Sequence, residues 1–222
     1  NLLAADGGKM IIEGNQRVLA ARLSDAKFFW DQDRKQTLES RLDGLKGMVF
    51  HARLGSVYDK TWRMRILASY IYEHIYEKSK RLELAKSTTL DVVDMDFISN
   101  WSRKFPYSVS ELNESLLKNF GYREFKEESE VAAAASLRKS DLTTGMVAEF
   151  PELQGLMGYY YALNDGLSPP VASAIKEHYS PQGPSDQCPV QRISVTTSMA
   201  DKIDTMVGFF AVREIPSGSR DP

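Results

Sequence analysis

Several things that would announce a function are scarce in this sequence. The 222 residues hold one cysteine, Cys188, so no disulfide can form within the chain. That suits a reducing compartment, and a cytoplasmic location is expected. Three histidines are present, His51, His74 and His178. No two are spaced four apart and none adjoins a cysteine, so the usual zinc patterns are missing. No apolar run approaches the roughly 18 residues of a membrane span, and no signal peptide is visible. There is no glycine-rich phosphate loop; Gly7-Gly8 alone reads as a turn. Strong charge is missing too. The formal net charge is -2, whereas a protein that binds phosphate backbones without discrimination is usually basic. Any nucleic-acid contact must therefore be local.

What is present is a helical pattern. Hydrophobic residues make up 42% and charged residues 26%, ordinary for a globular chain with a core. Residues 1–14 carry little helical signal, and Lys9-Met10-Ile11-Ile12 is expected as a short strand. From Asn15 the pattern changes. Leu19, Leu23, Ala26 and Trp30 recur on one helical face, with Arg22 and Asp25 placed to pair on its flank. A second helix is expected over 36–48. Gly55 then breaks the chain, and Ser56 with Asp59 three residues on opens a helix whose buried stripe is Met64, Leu67, Ala68, Ile71 and Ile75.

Residues 79–130 are more charged and hold short helical pieces, among them one capped by Ser110 and stopped by Gly121. An alanine-rich helix is expected from about Glu130 to just before Pro151. Ser168-Pro169 opens another helix. A proline-rich loop follows. The last long helix carries Ile193, Ala200, Ile203, Val207 and Phe210 on one side. The fold class is all-α.

Three groups of residues could carry chemistry. Asp141, Asp201 and Asp204 stand at expected helix-interior positions, where aspartate is a poor choice and needs a reason. A charge pair with Lys139, Lys202 or an arginine on a facing helix is one. A metal-ligand position is the other. Tyr159-Tyr160-Tyr161 could stack bases, although three consecutive aromatics on a helix require at least one to be buried. Arg63, Arg65, Lys78, Lys80 and Arg81 could form an RNA-facing stripe or simply a solvated face.

Longer strings carry a resemblance. Residues 17–29, RVLAARLSDAKFF, resemble the RVL-x-ARLSDA-x-FF stretch of the glycyl-tRNA synthetase beta subunit. Val49-Phe50-His51 and Leu54-Gly55-Ser56 fit the segment that follows. Residues 139–142, KSDL, and 146–155, MVAEFPELQG, look like its K-A-DL and MV-x-EFPELQG blocks, followed by Met157-Gly158 and Tyr160-Tyr161-Ala162. Residues 200–205 and 215–222 are similar to the end of the same region. About forty residues within 79–130 have no counterpart in the family pattern.

The resemblance implies an HD-like helical bundle over 15–222 with a helical insertion at about 79–130. Residues 1–14 would be an extended piece of a preceding domain. The chain would be an excised part of a longer subunit. HD-domain phosphohydrolases bind metal through a histidine, a His-Asp dyad and a later aspartate. Here the dyad position is Ser140-Asp141, the later position is Asp201, and the first histidine falls near Lys60. With both imidazoles gone, no metal is expected. Lys60, Lys139 or Lys202 would neutralise the aspartates instead, with Asp141 and Asp201 near one another. The family further implies tRNA-Gly, the alpha subunit and the rest of the beta subunit as partners, with ATP used by the whole enzyme and no cofactor held here. The competing readings are a metal-dependent nucleotide phosphohydrolase and a scaffold that never touches RNA.

Overall fold

The structure is a computed structural model in which residues 6–77 and 130–214 are described. Its first element is α1, Lys9–Asp33. The expected strand at 9–12 is therefore helix. The cause lies in Asp6, whose carboxylate accepts from the Gly8 N–H at 3.0 Å and the Met10 N–H at 2.9 Å. It satisfies amide groups that a helix start leaves without partners. Gly8, at φ 86°, supplies the left-handed turn that feeds the helix.

A tight 3-10 segment, Glu39–Gly47, takes the place of the α-helix expected at 36–48 and still drives Leu45 into the core. A small antiparallel hairpin follows, β1 (Val49–His51) against β2 (Gly55–Ser56). Then comes α2, Val57–Tyr72. Its start fulfils the sequence expectation: Ser56 accepts from the Asp59 N–H, and Asp59 reaches back to the Ser56 N–H. The helix runs on through one π turn, Glu73–Glu77.

The alanine-rich stretch is not one helix. It divides into α3 (Glu130–Leu137), a 3-10 turn (Ser140–Thr143), α4 (Gly145–Glu149) and a second 3-10 turn (Pro151–Leu153). Thr144 ends the first part and caps the next, its hydroxyl accepting from the Val147 N–H. Asp141 thus lies in a turn, a place that suits a short polar side chain better than a helix interior. Next are α5 (Leu156–Asn164) and α6 (Pro169–Glu177), the latter with Ser168 as N-cap and Pro169 in its first turn. The long α7, Arg192–Ala211, closes the described part.

The core is helix on helix. Met64, Leu67 and Ala68 of α2 meet the small residues Ala134 and Ala135 of α3, which let the two backbones approach closely. Helix α7 packs along α2 and also touches α3 and α6. No helix among the described residues is long and apolar enough to cross a membrane. The helical insertion expected at about 79–130, with its Ser110–Gly121 piece, lies outside the described residues.

One polar clamp fixes α1 to the bundle. Asp33, buried, accepts from the N–H groups of Gly145 and Met146 at the start of α4, both at 2.9 Å, and from the Tyr161 hydroxyl at 3.0 Å. Arg41 pairs with the same carboxylate at 3.3 Å. Trp30 stacks on Tyr161 with 5.5 Å between ring centres. Arg22 bonds Glu149 on α4 rather than the Asp25 expected from spacing.

Candidate charge-paired site between α2, α3 and α7

Helix α2 turns Lys60 and Arg63 toward α7, one helical turn apart. Helix α7 answers with Asp201 and Asp204 at the same spacing. Arg63 grips Asp204 with two nitrogens: Nε to Oδ1 at 2.7 Å and Nη2 to Oδ2 at 3.2 Å. Its remaining arm donates to the Leu54 carbonyl at 3.0 Å. Lys60 lies between the two carboxylates, 3.3 Å from Asp201 Oδ1 and 3.3 Å from Asp204 Oδ2. It also donates to Thr205 Oγ1 at 2.6 Å. From the end of α3, Arg138 reaches Asp201 Oδ1 at 3.2 Å while donating to the Ala135 carbonyl at 2.7 Å.

Lys60, Arg63, Arg138 and Asp204 are withdrawn from water, Arg138 0% and Asp204 1% exposed, while Asp201 keeps 18% of its side chain exposed. Burial pulls the Lys60 and Arg138 pKa values down, and the facing aspartates oppose it. For Asp201 burial acts upward, but the charges of Arg138 and Lys60 together prevail and hold its carboxyl below the usual carboxylate range. Such a knot adds little over an apolar core when complete, yet removing one partner strands a buried charge.

Ser140 and Asp141 stand on the turn after α3. Asp141 Oδ2 accepts from the N–H groups of Gly155 and Gly158, the latter at 3.2 Å, at the start of α5. Its other oxygen has no hydrogen-bond partner among the described residues. Burial raises its pKa against those two donors. Gly158 is required here: a Cβ would meet Ile175 Cγ2 at 2.7 Å and Asp141 Oδ2 at 3.1 Å. Lys139 lies over the Tyr179 ring, 3.6 Å from its centre, within electrostatic reach of both Asp201 and Asp141. Burial lowers its pKa to about 7. His178, wholly buried, is held neutral by burial and by the nearby Lys139 and Arg138.

Of the site residues read from sequence, Lys60 and Asp201 come together. Ser140 and Asp141 do not hydrogen-bond to that pair. Lys202 is used elsewhere, donating to the Ser180 carbonyl and Ser198 Oγ, both at 2.9 Å. Among the described residues no cluster of three or more His, Cys, Asp or Glu could hold a metal. Of the basic stripe, Arg63 and Arg65 are among the described residues. Arg63 is 1% exposed and spent on Asp204, so it cannot face RNA. Arg65 is half-buried with its guanidinium 5.5 Å from the Trp62 ring centre, while Lys78, Lys80 and Arg81 lie outside the described residues. Of the three tyrosines Tyr161 is buried and Tyr160 exposed.

The family model for the glycyl-tRNA synthetase beta subunit matches residues 1–222. The chain belongs to that family. It is 43% identical over 222 residues to the glycine–tRNA ligase beta subunit of Phenylobacterium zucineum, covering 100% of this chain and 26% of that protein. The beta subunits of Rhodospirillum centenum and Paracoccus denitrificans are each 39% identical, over 100% of this chain and 25% and 26% of theirs. The chain thus spans about a quarter of the length of the relatives it matches.

Within this beta-subunit chain, the sequence pointed to Asp204 as an aspartate inside a helix but not to Arg138 or Asp33. The paired spacing, Lys60 and Arg63 three apart on one helix and Asp201 and Asp204 three apart on another, was a signal left unused. Arg138 carries no such signal, since it reaches Asp201 across 63 positions.

Proposed function

We propose that this chain acts as a non-catalytic, HD-like architectural module of a glycine–tRNA ligase beta subunit, supporting attachment of glycine to tRNA-Gly. The observation that carries this reading is the fate of Asp201. Where the resemblance expects a metal ligand, this aspartate is neutralised by Lys60 and Arg138, both buried. A carboxylate so engaged locks helices in register. It is poorly placed to receive a cation, because two fixed positive charges already adjoin it.

The whole enzyme would use ATP and glycine elsewhere, with the alpha subunit and the rest of the beta subunit as partners, in the cytoplasm. Contact with tRNA-Gly would be local, since the net charge is -2. The test has three arms. The 222-residue chain alone should give no glycine-dependent pyrophosphate exchange; exchange without alpha subunit would overturn the reading. Its tRNA-Gly affinity should fall only gently with salt, each phosphate contact adding a slope of roughly -0.9 for duplex. Binding indifferent to salt would remove the phosphate-contact part. Stoichiometric manganese, iron or zinc ligated by Asp141 and Asp201 in the purified chain would favour the phosphohydrolase instead.

A further inference from the structure

The first two-thirds of α1 reach the bundle through Arg22, which bonds Glu149 and lies over the Phe150 ring. Every residue over 9–25 is exposed, with Gly14 among them. Large apolar side chains are nevertheless abundant there. Ile11, Ile12, Val18, Leu19 and Leu23 each expose more than half their surface. They share one side of the helix. Ile12, Leu19 and Leu23 continue, at helical spacing, the same stripe whose later members Ala26 and Trp30 pack against the core. Glu13, Arg17 and Ser24 lie on the opposite side. The bundle therefore ends while the apolar stripe runs on for about 18 Å, from Leu23 back to Ile11.

A helix solvated all round at this length is marginal in water, and an interior glycine weakens it by about 1 kcal/mol. A contiguous apolar face of this kind marks an interface. We infer that the outer half of α1 is a docking helix whose occupant is an apolar surface of its own, longer polypeptide. This rests on the family reading above. The matched relatives are about four times as long as this chain, with 26% of the first aligned to all of it, so most of such a polypeptide lies outside these residues. A tethered segment meets the stripe at an effective concentration of about millimolar, which a separate chain does not reach. RNA is disfavoured by chemistry: the face is aliphatic, and Glu13 and Asp25 accompany the few cations around it.

The experiment uses the full-length beta subunit without alpha subunit or tRNA. Leu19→Cys and Ser24→Cys are each labelled with a maleimide, and peptide-resolved mass spectrometry reads the rate against the denatured chain. Leu19→Cys should be slowed about a hundredfold, and Ser24→Cys only a few-fold. Hydrogen exchange over residues 9–25 of the unsubstituted subunit guards against an effect of the substitution and should be slow. Rapid labelling and rapid exchange would overturn the inference. So would protection that requires alpha subunit, tRNA-Gly or dimerisation, or that vanishes when residues 79–129 are excised. Aminoacylation of tRNA-Gly by the same preparation with alpha subunit added reports separately on the family reading. Activity with an unprotected Leu19→Cys would sink the docking helix alone.

Discussion

Two regions of this molecule invert the usual distribution of polarity. Between α2, α3 and α7, side chains that ordinarily seek water are buried, and each has a counter-charge within 3.3 Å. Along the outer half of α1, side chains that ordinarily avoid water are bare. The difference is one of completeness. The charged knot is finished inside the chain: the cations of α2 and α3 meet the acids of α7. The apolar stripe is unfinished, because the bundle stops before the helix does. Burial alone is then a poor guide to what a residue does; what matters is whether its partner is already present.

The knot should be the more sensitive of the two. Replacing Asp204 by alanine leaves Arg63 and Lys60 buried beside a single remaining carboxylate. The 222-residue chain should lose about 3–5 kcal/mol. Its melting temperature should then fall by roughly 10 °C in calorimetry. Removing the whole set, with Lys60→Met, Arg63→Met and Asp204→Leu together, should recover most of that loss. A single-site loss under 1 kcal/mol would mean the charges are hydrated and the contrast false.

Lys139 gives a finer reading of the same knot. Its pKa falls from 10.5 in the unfolded chain to about 7 in the fold. Between those values the unfolded state binds more protons, so stability should rise with pH from about 7 to 9. Lys139→Met should flatten that rise in urea melts taken across the window. An unchanged slope would assign it to other groups, Lys60 among them.

The smallest effect is expected on α1. Leu19→Asp should shift the melting of this chain by no more than about 0.5 kcal/mol, because the side chain is 61% exposed. A loss beyond 1 kcal/mol would show that the stripe is already covered.

How much of this was legible depends on sequence separation. The start of α2 was readable because Ser56 and Asp59 cap it from within one turn, and α6 likewise from Ser168 and Pro169. The helix at 9–12 was not, since Met10-Ile11-Ile12 has a strand's composition and the deciding group, Asp6, lies before the turn. The split of the alanine-rich stretch was hidden for a related reason: one Asp141 oxygen accepts from amides at the start of α5, 14 and 17 positions away. Lys60 with Asp201 was anticipated through the family resemblance, while Arg138 and the Asp33 clamp depend on contacts that no local pattern records.

The Asp33 clamp has a mechanical consequence. It grips α1 at its C-terminal end through two amides, one hydroxyl and a guanidinium, and Arg22 ties the helix to Glu149 once more further out, so the remainder is an arm braced on the bundle. Over the roughly 36 Å from Asp33 to Lys9, a tilt of about five degrees at Asp33 carries the tip through about 3 Å. A load on Ile11 or Ile12 is therefore felt as torque at Tyr161 and at the start of α4, and what binds the far end of this helix pulls on the floor of the bundle.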